Sequence, residues 1–176
     1  MIPIGISEIL KAVDGTLRWG DENGVVTNVV TDSRKAGKGS LFVPIVGERV
    51  DAHQFIPQVM QAGAGVTFSS RKDVAPAVSG CCIYVEDTLA ALQKAAAYYR
   101  SRFDIPVIGV TGSVGKTTTK EMISAVLEKK YRVVKTQGNW NSQIGVALMM
   151  FELEPETELA IFEMGMSLPG EMARLV

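Results

Sequence analysis

Histidine and cysteine are nearly absent from this chain of 176 residues: His53 stands alone, and Cys81 and Cys82 are neighbours. A single histidine excludes a histidine-based metal cluster. Its place near a helix start reads as a hydrogen-bonding role rather than that of a general base. Adjacent cysteines on a strand point to opposite faces, so a structural disulfide or a cysteine metal site is not expected, and both read as small buried side chains. That usage fits a cytoplasmic protein. No apolar run approaches the ~20 residues needed to span a membrane. The segment Met1-Ile2-Pro3-Ile4-Gly5 has no basic stretch leading into an apolar core, so no signal peptide is visible. The formal net charge is only -1, which leaves no basic field for nucleic acid. Any phosphate recognition must therefore be local, through loops and single cations.

What the chain does contain is a globular balance, 47% hydrophobic and 21% charged, at a length that suits one domain or a small domain plus part of another. Ile6, Ile9, Leu10 and Val13 follow helical spacing, with Gly15 able to end the helix. Val25 to Thr31 and Ser40 to Ile45 are β-prone, separated by the polar turn Asp32 to Gly39. Asp51 can cap a helix carrying Phe55, Val59 and Ala62 inward, with Gly63 after it. Val66 to Ser69 and Cys82 to Val85 read as strands. Asp87 caps a helix whose stripe Leu89, Leu92, Ala96, Tyr99 and Phe103 is core. Asp104-Ile105-Pro106 breaks that pattern. The expected division is therefore a small α/β domain over 1–103 and a second domain beginning at 104–176.

The second half alternates strand and helix: Val107 to Thr111, then Lys116 to Lys130 with Met122, Ile123, Val126 and Leu127 inward, Tyr131 to Lys135, Ser142 to Leu153 weakened by Gly145, and Leu159 to Glu163. Such alternation implies a parallel sheet buried on both faces, with ligands beyond the carboxyl ends of its strands. Residues 169–176 begin a further helical pattern. Three strands are few for an open nucleotide-binding sheet, so the chain reads as the front part of a longer protein.

The strand Val107 to Thr111 enters Gly112-Ser113-Val114-Gly115-Lys116-Thr117-Thr118, and a helix follows. Glycines let backbone N–H groups converge on an anion, and the helix start adds its own N–H groups and dipole. Lys116 can reach β- and γ-phosphates and the Thr117 hydroxyl can bind magnesium. Gly112, Ser113, Val114, Gly115, Lys116, Thr117 and Thr118 are thus the candidate nucleotide-binding residues, with Lys116 the catalytic one. The usual loop is Gly-x-x-x-x-Gly-Lys-Ser/Thr; here Val110 replaces the first glycine, leaving Gly-x-x-Gly-Lys-Thr. Glu163, at the carboxyl end of its strand, can hold magnesium beside Thr117. Asn139 and Asn141 offer uncharged donors and acceptors at the same sheet edge, which suits a polar ligand, and both are candidate substrate-binding residues. In the first half, Ser33 and Arg34 follow a strand end and can hold a pyrophosphate.

Four stretches together resemble the Mur ligases of peptidoglycan synthesis: Thr31-Asp32-Ser33-Arg34 with Gly39 to Ile45; Gly47-Glu48-Arg49-Val50-Asp51-Ala52-His53; the loop Thr111 to Lys120; and Gly138-Asn139-Trp140-Asn141-Ser142-Gln143-Ile144-Gly145 with Glu163-Met164-Gly165-Met166-Ser167-Leu168-Pro169-Gly170-Glu171. The shortened loop is how that family writes it. Ala52 and Ser142 depart from its usual glycine and asparagine. The resemblance implies a UDP-muramoyl-peptide substrate domain over 1–103 and the opening of a parallel-sheet phosphate-loop ATPase domain over 104–176. It implies an ADP-forming amide ligase that uses ATP and Mg2+, forms an acyl phosphate, and is monomeric at full length. The Gly-Asn-x-Asn and Glu-Met-Gly segments favour the branch that joins UDP-MurNAc-tripeptide to D-alanyl-D-alanine over the sister that adds the third amino acid. These residues alone are expected to be inactive, because the family's amine-binding domain and the remaining metal-site residues lie elsewhere. Two other readings stay open: a non-catalytic nucleotide-sugar binding module, and an ordinary phosphate-loop NTPase or kinase.

Overall fold

The computed structural model describes residues 1–77, 79–166 and 170–172. Most of the helical start expected over 169–176, and Ser167 to Pro169 of the motif above, lie outside the described residues. The chain divides into two compact units, Met1–Ala95 and Ala96–Val176.

The first unit runs β1 (Ile4–Gly5), α1 (Ile6–Ala12), β2 (Thr16–Trp19), β3 (Val25–Val26), β4 (Asn28–Val30), β5 (Ser40–Phe42), α2 (Ile56–Gln61), β6 (Val66–Ser69), β7 (Cys81–Tyr84) and the first part of α3 (Thr88–Arg100). Its main sheet has the order β2-β7-β6-β5-β4. β4 to β7 pair in parallel and β2 joins antiparallel at the β7 edge. Leu41, Phe42, Val66 and Phe68 are fully buried, and Val30, Phe42, Ile56, Val59 and Met60 close one core cluster. Asp87 Oδ1 accepts from the Leu89 and Ala90 amides, the cap expected for α3.

Several local expectations are corrected. β1, two residues long, and β2, a four-residue strand whose partner β7 is distant in the chain, were not legible in the sequence. The left-handed residue after α1 is Asp14, at φ 52, not Gly15. Gly15 is required for another reason: a Cβ there would lie 2.4 Å from Ile83 Cγ2.

The second unit holds the end of α3, then β8 (Val107–Val110), α4 (Lys116–Leu127), β9 (Val133–Lys135), α5 (Gln143–Met150) and β10 (Leu159–Glu163). The sheet order is β8-β10-β9, all parallel. β10 is buried along its whole length, whereas Val107 on the edge strand β8 is 41% exposed, so only the central strand has both faces covered. Tyr99, fully buried at the end of α3, stacks at 5.3 Å on Phe151 and donates to the Leu153 carbonyl at 2.6 Å.

α4 turns a different face inward from the one expected. Lys120 and Ser124 are buried, Ile123 and Leu127 pack partly on the core, and Met122 and Val126 are 67% and 70% exposed. Each step along a helix rotates the side chain by about 100°. The inward stripe is therefore fixed by positions 120, 123, 124 and 127, and the apolar residues at 122 and 126 fall outside it. α5 is shorter than expected, and Gly145 is explained by packing: a Cβ there would stand 2.6 Å from the Trp140 backbone.

Two outcomes follow. Cys81 and Cys82 are free and fully buried, and burial pushes their thiols up to about 12 and about 11. The thiolate, which is the reactive form, is thus disfavoured. Ellman's reagent at pH 8 should label neither in the folded protein and both in denaturant. Gly145→Ala should cost about 1–3 kcal/mol through overpacking, read as a lower midpoint in urea unfolding.

Candidate functional site

In the first unit, Asp32 caps a 3-10 turn over Ser33–Lys35 by accepting from the Arg34 amide at 3.0 Å. The Arg34 guanidinium also grips Asp32 through Nε at 2.9 Å and Nη2 at 2.7 Å. Those bonds hold the Asp32 carboxyl down to about 2. Arg34 is mostly solvent-facing, and a guanidinium has five N–H donors, so part of its fork stays open. Ser33 is the first residue of the same turn.

A second polar knot lies between two loops of this unit. Asp51 caps the 3-10 turn Ala52–Phe55 through the His53 amide at 3.0 Å. It accepts from His53 Nδ1 at 2.6 Å and from Arg71 Nη2 at 2.7 Å. His53 is buried, and its Nε2 receives the Ser70 amide at 3.0 Å. The expected hydrogen-bonding role of His53 is therefore what the geometry has. Its two ring nitrogens tie the turn at Asp51 to the loop after β6. The His53 amide, with Arg71, pulls the Asp51 carboxyl well below the usual carboxylate range.

The second unit builds its site at the carboxyl edge of the parallel sheet. After β8 the loop turns at Gly112 (φ 142) and Gly115 (φ 78), left-handed positions that favour glycine. Gly115 caps α4, and its carbonyl receives the Thr119 amide at 2.9 Å. The preceding amides belong to the first turn, where a helix has no internal partner for them. Lys116 Nζ donates to the Gly112 carbonyl at 2.8 Å, so the lysine spans its own loop. Ser113, Val114, Thr117 and Thr118 are exposed around it, Val114 at 90%.

After β9 the chain turns through Gly138, also left-handed at φ 52. Asn139 stays exposed, whereas Asn141 is half-buried and donates to Glu163 Oε1 at 2.8 Å. The Asn141 carbonyl also accepts the Gly165 amide at 2.8 Å. Glu163 ends β10 at 1% exposure, and its Oε2 has no hydrogen-bond partner among the described residues. No hydrogen bond joins Thr117 to Glu163 among the described residues. Two participants were missed by sequence reasoning. Thr136 is buried; its hydroxyl receives the Glu163 amide at 2.8 Å. Lys120 is buried and donates to the Thr136 carbonyl at 2.7 Å. The one signal for Lys120 was its spacing of one turn from Lys116, which puts both on one helix face.

The site thus consists of a glycine-turned phosphate loop, a helix start and a strand-end carboxylate with an unspent oxygen. That arrangement defines a phosphate-loop α/β protein. Comparison with known sequences narrows it. The Mur ligase middle domain matches residues 110–176, and the catalytic domain of the Mur ligase family matches residues 25–136. This chain belongs to the Mur ligase family. The UDP-N-acetylmuramoyl-tripeptide–D-alanyl-D-alanine ligase of Bacillus subtilis (strain 168) is 44% identical over 173 residues, covering 98% of this chain and 38% of that protein. Among solved structures, MurF from Acinetobacter baumannii superposes with a TM-score of 0.91 at 34% identity, over 98% of this chain and 38% of that one. The MurF ligase from Thermotoga maritima in complex with ADP superposes with a TM-score of 0.76 at 35% identity, over 84% and 34%. The chain spans about two fifths of the length of the curated relatives it matches.

The Asp51 knot has a testable pH dependence. Its folded carboxyl titrates below its unfolded value, so its stabilisation is complete above the unfolded value near 3.8 and is lost as pH falls through the folded one. Asp51→Asn should lower the urea midpoint at pH 6, and the gap to wild type should close progressively below about pH 4.

Proposed function

We propose that this chain carries the substrate domain (1–103) and the opening of the ATP-binding domain (104–176) of an ADP-forming amide ligase. The reaction joins D-alanyl-D-alanine to UDP-MurNAc-tripeptide. The observation that carries the reading is a phosphate loop and a buried strand-end carboxylate at one sheet edge, Glu163 pairing with Val110 where the loop begins, in a chain similar along 98% of its length to D-alanyl-D-alanine-adding ligases.

A carboxylate is a poor electrophile, so the peptide's terminal carboxylate must be activated. One of its oxygens attacks the γ-phosphorus of ATP; a P–O bond forms, the bond to the bridging oxygen breaks, and ADP leaves. The D-alanyl-D-alanine amine then attacks the acyl carbon, the C–N bond forms, phosphate departs with the C–O electron pair, and the amine gives up a proton. The γ-phosphoryl carries charge spread over its oxygens as it transfers, and stabilisation comes from oriented donors and cations. Lys116 supplies one such cation once it leaves the Gly112 carbonyl, and the amides of Gly112 to Thr118 supply the donors.

The donor set fits magnesium. Thr117 and Glu163 are oxygen ligands, the Glu163 Oε2 lone pairs are unspent, and Mg2+ is commonly bound by one or two side chains plus phosphates. When bound, that ion neutralises charge on the β- and γ-phosphates. Ser33 and Arg34 hold the UDP pyrophosphate in this reading, and Asn139 faces the muramoyl peptide. Asn141 is expected at the substrate too, but its side-chain amide is spent on Glu163 Oε1, which supports a role in holding the metal carboxylate instead. The whole ligase acts as a monomer.

The test uses the intact protein with UDP-MurNAc-tripeptide, D-alanyl-D-alanine and ATP. ADP release should require the muramoyl peptide, and hydroxylamine should trap the acyl phosphate. Lys116→Ala should lower both by about 10²-fold or more. ATP hydrolysis indifferent to the muramoyl peptide would point instead to an ordinary phosphate-loop NTPase.

A further inference from the structure

Lysine is almost never fully buried unless it is paired, because its ammonium loses its hydration and its stem loses rotamer freedom. Lys120 is 1% exposed. Its ammonium sits among three acceptors from three elements: the Thr136 carbonyl at 2.7 Å after β9, Glu121 Oε1 at 3.1 Å on α4, and Glu163 Oε2 at 3.8 Å at the end of β10. These are the elements whose loops form the nucleotide edge. Glu121 is itself exposed and shared with Lys135 at 2.8 Å, so it has no need of a buried lysine. Glu163 is different. One oxygen is fixed by Asn141 at 2.8 Å, its amide is fixed by the Thr136 hydroxyl at 2.8 Å, and the other oxygen is buried with no hydrogen bond. Lys120 stands too far from that oxygen to hydrogen-bond it, yet close enough for a strong charge contact in a buried setting.

We propose that Lys120 is a positioning residue for Glu163: its ammonium, anchored on the Thr136 carbonyl, holds the carboxylate by charge while leaving the Oε2 lone pairs for the divalent cation. A hydrogen bond at that oxygen would have to break before a cation could bind; a charge contact at 3.8 Å does not. The same side chain ties α4, one turn beyond Lys116, to the ends of β9 and β10. The phosphate loop and the carboxylate thus keep their spacing. This role rests on the magnesium and nucleotide assignment made above, and it is additional to it.

The experiment is ADP binding by calorimetry on the intact protein, in EDTA and in MgCl2, with urea unfolding as a control for folding. Two variants are needed. Lys120→Met keeps the stem and removes the ammonium. Lys120→Gln also removes the charge but retains an N–H donor for the Thr136 carbonyl, so it carries the test if the methionine variant does not fold. In EDTA, ADP affinity should stay within threefold of wild type, since the phosphate loop is untouched. The tightening of ADP binding by MgCl2 should shrink at least fivefold, as it should in Glu163→Gln. The Lys120→Gln/Glu163→Gln double variant should lose no more than Glu163→Gln alone. A folded Lys120→Gln that keeps the wild-type magnesium effect, or losses that add in the double variant, would reduce Lys120 to a structural pin and overturn the proposal. A wild type whose ADP binding is absent or indifferent to MgCl2 would remove the nucleotide reading first, and this inference with it.

Discussion

β10 is paired in parallel on both edges, with Glu163 opposite Val110 of β8 and Ile161 opposite Lys135 of β9. This constraint places everything else in the second unit. Parallel strands share a direction, so the three loops that leave them open on the same edge. The pairing runs on past the strands, with the Met164 amide on the Val110 carbonyl and the Thr136 amide on the Ile161 carbonyl. Glu163 and Thr136 are therefore held by the ladder itself, and the loops beside them start from fixed strand ends. A slip of one residue in β10 would turn Glu163 to the opposite face of the sheet and empty the edge of its carboxylate.

Burial then decides which charges must find each other. Around Glu163 the protein uses an amide side chain, a threonine hydroxyl and a lysine from three separate elements. The outer side of α4 carries a looser chain in which Lys135 bridges Glu121 and Glu128; it lowers the Glu121 carboxyl, the Ser124 hydroxyl and then Lys135 lower that of Glu128, and the Lys135 ammonium is raised. That outer set is exposed enough to be screened by solvent. The inner set is not, and it is where a single lost partner leaves a buried charge uncompensated.

Much of this was legible in the sequence. The β10 limits, the β6 limits, the caps at Asp51 and Asp87, and the phosphate loop all rest on local chemistry that a short window contains. What escaped depends on distant packing. Lys120 reads as a solvent-facing lysine until α4 is laid across the sheet on its way from β8 to β9. Met122 and Val126 read as core for the same reason, since apolar type alone cannot say which helical face meets the sheet. β2 was missed because its partner β7 lies more than sixty residues further along the chain. Gly145 reads as a weakness of its helix, whereas the Trp140 backbone is what excludes a side chain there.

The bond from Lys116 to the Gly112 carbonyl has a further meaning. The glycine loop already contains an acceptor of its own for the ammonium, so any phosphate must outcompete an internal ligand. Weak anions such as chloride or acetate are poor rivals for a well-aligned carbonyl, while a polyphosphate with several charges can displace it. The loop thus carries a built-in competitor for its own ammonium, and an anion that takes Lys116 must first displace it.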